Sequence, residues 1–111
     1  MPRAGGRRLD EGEKAQRRAA DEMIAEYHEA QLRGLLEHVR DGFARLDAGD
    51  IDVFDLDNVI HRYKRAAKDL WLFCGSSSGQ TLQAANALEF SRTRGEEPDW
   101  WARSARRGDP S

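Results

Sequence analysis

LRGLLEHVRDGFARLDAGDIDVFDLDNVIHRYKRAAKDLWLFC, residues 32–74 of a 111-residue chain, is the stretch that decides the fold. Its first half spaces Leu32, Leu35, Leu36, Val39, Phe43 and Leu46 by threes and fours. Its second half does the same with Leu56, Val59, Ile60, Tyr63, Ala66, Ala67, Leu70 and Cys74. That period is the mark of a helix with one buried face. Between the two stripes, Ala48-Gly49-Asp50-Ile51-Asp52 supplies a stop and a start. Gly49 suits the left-handed position after a helix C-terminus. Asp52 suits an N-cap, with Asp55 three residues on to complete a capping box. The expectation is an antiparallel helical hairpin.

Upstream, Met23, Ile24 and Tyr27 continue the first stripe, so helix 1 is expected over about 13–48, roughly 50 Å long. Glu13 to Ala20 offer little to bury and should fray. Gly34 and Gly42 each weaken this helix by about 1 kcal/mol relative to Ala, and Gly42, beside the stripe, would permit close helix approach. Residues 1–12 carry breakers and no apolar period, and read as a disordered tail. Helix 2 is expected over 53–74, ended by Gly75. The turn Gly75-Ser76-Ser77-Ser78-Gly79 leads to a shorter helix 3 over 80–93, with Leu82, Ala85, Leu88 and Phe90 as its apolar side. Residues 96–111 form a Trp/Arg-rich C-terminal tail, in which Pro98 and Asp99 could start one short turn and residues from 104 onward hang free. The fold class is all-α: a long, coiled-coil-like hairpin plus a third helix, in one domain over 13–95.

Charge is uneven beneath a net −2. Residues 1–20 carry +3, residues 21–60 carry −8 and residues 61–111 carry +3. The acidic middle opposes a continuous nucleic-acid footprint. The longest run of large apolar residues, Leu70 to Cys74, is far too short for a membrane span. No apolar stretch follows the N-terminal arginines, so a secretory signal is not expected and the cytoplasm is the default. One cysteine allows neither an intrachain disulfide nor a cysteine zinc site.

No arrangement of side chains spells out a reaction. Asp47, Asp50, Asp52, Asp55 and Asp57 cluster at the turn, but the glycine and closing glutamate of an EF-hand loop are missing. Turn and cap duty is the simpler reading. His28 and His38 lie ten residues apart on one helix, pointing different ways, and Glu26-Tyr27-His28 has the wrong spacing for a ferritin-like ligand motif. Cys74 sits at a helix C-terminus, where the local field disfavours a thiolate. Gly75 to Gly79 matches the letters of a nucleophile elbow but follows a helix, not a strand. Catalytic residues, cofactors and metals are therefore not expected, and the chain reads as a non-enzyme.

Two groups remain as candidate interaction residues. His61, Arg62, Lys64, Arg65 and Lys68 form a basic run on helix 2, suited to phosphates or an acidic partner, or else a solvated flank matched to Glu37 and Asp41 of helix 1. Trp100 and Trp101, followed by Arg103, Arg106 and Arg107, join the two residue types most enriched at interface hot spots. They either fold back over the open end of the hairpin or dock on a partner.

The run Arg45-Leu46-Asp47-Ala48-Gly49-Asp50-Ile51, followed by a helix carrying Tyr63 and a late Cys74, resembles the small subunit of exonuclease VII. The likeness spans about 35 residues and departs at Asp52, where that family usually has proline. It implies an accessory helical hairpin without catalytic residues of its own. Tyr27-His28, His61 to Arg65, Leu70-Trp71 and Glu97 to Trp101 resemble uncharacterised small helical proteins of actinobacteria over about residues 20–102. That second resemblance implies a folded protein and no particular activity. Together these readings point to a helical interaction or accessory subunit that self-associates or binds a helical protein partner. The alternative is a nucleic-acid-associated factor using the basic face of helix 2 and the basic tails.

Overall fold

A computed structural model describes residues 11–75 and 78–106. Among them it holds four helices and no strand: α1 (Glu11–Asp47), α2 (Val53–Cys74), α3 (Ser78–Thr93) and α4 (Trp100–Arg103). The all-α hairpin with a third helix is the observed architecture. Helix starts and stops fall within about two residues of the sequence expectation. The tail expected over 1–12 lies largely outside the described residues, as do Ser76 and Ser77 of the expected turn and the chain from Arg107 onward.

Local chemistry accounts for each boundary. At the end of α1, the Gly49 N–H donates to Leu46 O at 3.0 Å and the Asp50 N–H to Arg45 O at 2.9 Å, with Gly49 at φ 80°. This is the paired hydrogen bonding of a Schellman ending, which needs a residue tolerant of positive φ. Helix α3 ends the same way, through Gly95 N–H to Arg92 O and Glu96 N–H to Ser91 O. Helix α2 opens with the expected capping box. Asp52 Oδ1 accepts from the Asp55 N–H at 2.8 Å, and Asp55 Oδ2 accepts from the Asp52 N–H at 3.1 Å. Two of the clustered aspartates thus satisfy the orphan donors of a helix N-terminus.

Helices α1 and α2 run antiparallel, α3 lies along the N-terminal half of α1, and α4 sits against both members of the hairpin. The core is built from Ile24, Tyr27, Leu35, Leu70, Cys74, Leu88 and Trp100, filled in by the alanines Ala20, Ala66, Ala84 and Ala85. Of the first ten residues of α1 only Ala20 is buried, so the turns before it offer little to bury, as expected, and packing of α1 begins there. Gly42 is buried against Leu56 and Val59 nearer the turn. A Cβ there would stand 2.9 Å from Leu56 Cδ1, which confirms the close approach.

Three expected core residues are not in the core. Leu36 and Phe43 remain about half exposed and Phe90 is 62% exposed. One helical position is a 100° rotation. Leu36 and Phe43 each follow a buried residue, Leu35 and Gly42, and so fall at the rim of a stripe that α2 covers only in part. Phe90 lies two positions past Leu88, on the opposite side of α3.

Candidate interaction surface

The C-terminal turn is where the structure spends most of its polar geometry. Asp99 caps α4 by accepting the Ala102 N–H at 3.0 Å. Four residues make too short a helix to persist alone, so α4 is held by side chains from elsewhere. Trp100 is buried and its indole N–H donates to the Tyr27 hydroxyl at 2.8 Å. Phe73 completes an aromatic group, with ring centroids 5.3 Å from Trp100 and 5.9 Å from Tyr27. Burial, above all, raises the Tyr27 phenol above its ordinary value.

Trp101 is flanked on both faces. The His38 imidazole stacks on it at 4.0 Å and 2° from parallel, and the Arg62 guanidinium lies 4.2 Å from the indole centroid. Two groups cannot share one face at that range, so the indole is held between them. Both tryptophans therefore fold back onto the hairpin.

The basic run of α2 is split by the same turn. Arg62 is buried, at 7% exposure. Its Nη2 donates to Trp101 O at 2.8 Å and its Nε to Ser104 Oγ at 3.2 Å. Arg65 donates through Nε and Nη2 to Ser104 O at 3.2 and 3.1 Å. Two arginines one turn apart thus serve as donors for the carbonyls at the end of α4, the place where cations favour a helix. Of the five basic-run residues, His61, Lys64 and Lys68 keep their side chains on the open face of α2. His61 Nδ1 donates to Asp57 O at 2.8 Å, with the Asp57 carboxylate 3.4 Å away. The run expected over residues 61–68, as a binding patch or as a solvated flank, is thus divided between a buried side and an open one.

Ser104, expected in a free tail, is buried and bonded to Arg62, Arg65 and Trp101. A serine five residues after a capping aspartate hinted at the end of a helical turn. Nothing in the sequence singled out which arginines would meet it, and the pairing of His38 with Trp101 was equally invisible.

The face of α2 turned away from the core is open along its whole length. Val53, Phe54, Asp57, His61, Lys64, Lys68, Trp71 and Leu72 are all exposed, Phe54 at 76% and Leu72 at 66%. Cys74 takes no part in this face. It is buried, and burial pushes its thiol up to about 11. Among the described residues, no three His, Cys, Asp or Glu side chains gather as a metal-binding group, and no helix is long and apolar enough to cross a membrane.

No family model, curated protein or solved structure matches the chain.

Proposed function

We propose that this chain is a cytoplasmic, non-enzymatic helical interaction module, an accessory subunit that self-associates through its helix faces. The observation that carries this reading is the set of large apolar side chains left in solvent: Phe43 on α1, Val53, Phe54, Trp71 and Leu72 on α2, and Phe90 on α3. Apolar side chains at this density on a small fold mark a docking surface. Covering one of them fully contributes on the order of 1.5–3 kcal/mol.

The basic face of α2 gives less support to nucleic-acid binding, because Arg62 and Arg65 are spent on the α4 carbonyls. The cleft between α2 and the residues after α4, with Arg65, Lys68, Arg103 and Arg106 in its wall, still gives that reading some ground. Two measurements separate the readings. Sedimentation at tens of micromolar should give a dimer or larger species, and a clean monomer there would refute self-association. Titration with a mixed oligonucleotide at physiological salt should show nothing tighter than the non-specific range of roughly 10⁻⁴ to 10⁻⁶ M. Submicromolar, salt-sensitive binding would favour the nucleic-acid reading instead.

A further inference from the structure

The open face of α2 has an internal order that the individual residues conceal. Apolar side chains stand at both of its ends, Val53 and Phe54 at the start, Trp71 and Leu72 at the finish. Between them the charge changes sign: Asp57 comes first, then Lys64 and Lys68. All of these positions fall within roughly 100° of one another around the helix. They are also placed symmetrically about a midpoint between Arg62 and Tyr63. Val53 is as far before that point as Leu72 is after it, and the same holds for Phe54 with Trp71, Asp57 with Lys68, and His61 with Lys64.

A face with that symmetry is complementary to itself when reversed. We propose that α2 pairs antiparallel with α2 of a second copy of this chain, about a two-fold axis that passes between the two helices level with Arg62 and Tyr63. In that register the Val53 and Phe54 end of one copy lies over the Trp71 and Leu72 end of the other. Each Asp57 meets Lys68. Every contact occurs twice, as an isologous interface requires. Apolar side chains of both copies cover the two ends, and the oppositely charged pairs fix the register between them. A parallel arrangement would set Asp57 against Asp57 and the lysines against each other, so the charge pattern selects the antiparallel one. The buried side of α2 is untouched, and although Lys68 and Leu72 border the cleft beside α4, both remain exposed and open to a second copy. At an interaxial distance of about 8–10 Å, side chains of this length interdigitate.

This inference rests on the self-association reading above, and a charge exchange tests the two separately. Asp57→Lys and Lys68→Asp are made as single variants, each at an exposed position, and circular dichroism checks that both remain helical. Sedimentation of wild type should show a dimer. In either variant alone the two-fold sets like charges together twice, and dimerisation should weaken about tenfold or more. Mixing the two variants sets a chain with lysine at both positions against a chain with aspartate at both, so each of the two pairs again joins opposite charges. A heterodimer should then form with near wild-type affinity. A wild type that associates while both single variants associate equally well would overturn the α2 pairing and leave the interaction reading standing. Weakened variants that do not recover on mixing would overturn the register. A monomeric wild type would overturn both readings.

Discussion

Arg62 shows how one side chain can change what a stretch of sequence means. In a helix rich in basic residues it looks like one rung of a charged ladder. In the structure it is buried under Trp101, with its donors on the carbonyl of Trp101 and the hydroxyl of Ser104. A buried guanidinium is tolerated when its N–H groups are satisfied, and its planar fork suits two acceptors at once. Removing it takes a charged donor from each of those acceptors, leaves Trp101 O with the Ser104 hydroxyl, and uncovers one face of the Trp101 indole. Arg62→Ala should therefore lower unfolding free energy by about 2–3 kcal/mol, since hydrogen bonds from charged groups are each worth about 1.5–3 kcal/mol. Arg62→Lys should recover little of this, because an ammonium cannot reproduce the fork. Urea unfolding followed by tryptophan fluorescence measures both. Equal stability of Arg62→Lys and wild type would show that charge alone suffices. The exposed Lys64→Ala, two residues on and on the far side of α2 from Arg62, should change stability by less than about 0.5 kcal/mol.

At the scale of the element, the two interior glycines of α1 separate propensity from packing. A Cβ on Gly34 would meet nothing within 4 Å, so Gly34→Ala should stabilise by up to about 1 kcal/mol through helix propensity alone. At Gly42 the same change gains that propensity but presses on Leu56 Cδ1, 2.9 Å from the new atom. A larger side chain has nowhere to go, and Gly42→Leu should destabilise by about 1–3 kcal/mol as the α1–α2 contact is forced open. Thermal unfolding of the three variants gives the order directly. A Gly42→Leu protein as stable as wild type would mean that the helices are not held at this separation. The elements themselves were legible in the sequence because their signals are local. The three-and-four spacing of Leu56 to Cys74, Gly49 at the stop and Asp52 with Asp55 at the start all act within a few residues. Leu36, Phe43 and Phe90 were misread for a related reason. Periodicity says that a helix has an apolar side, but only the neighbouring helix decides how much of that side is covered.

The whole molecule is a hairpin closed at one end by α3 and α4, and its candidate surface was legible only in part. The basic run and the tryptophan pair stood out as residue types. Their assignment to inward or outward duty depended on contacts 39 to 73 residues apart in the chain, such as Arg62 with Trp101 and Tyr27 with Trp100. No local pattern encodes those. The buried cluster also carries titratable groups, and this sets how the fold responds to alkali. Burial raises the Cys74 thiol from its ordinary 9.0 to about 11, and moves the Tyr27 phenol in the same direction. Between those two thiol values the unfolded chain gives up its proton while the folded one retains it. Stability contributed by the neutral thiol is complete below pH 9 and is lost as pH rises toward 11. Urea midpoints should fall over that window, and Cys74→Ala should flatten the fall. A midpoint that rose with pH there would contradict the buried thiol.

The contact between Tyr27 and Trp100 also has a consequence in time. The turn between α1 and α2 brings its two helices together across a few residues, whereas docking α4 closes a loop of most of the chain. Closing long loops is entropically expensive and is rewarded only once both ends are in place. The hairpin therefore assembles first, and α4 locks on last, onto an aromatic and arginine surface that the hairpin has already made. The same order reversed makes release of α4 the earliest step of unfolding. A burst of tryptophan fluorescence change ahead of helix loss in stopped-flow unfolding would be its signature, and simultaneous loss of both signals would deny it.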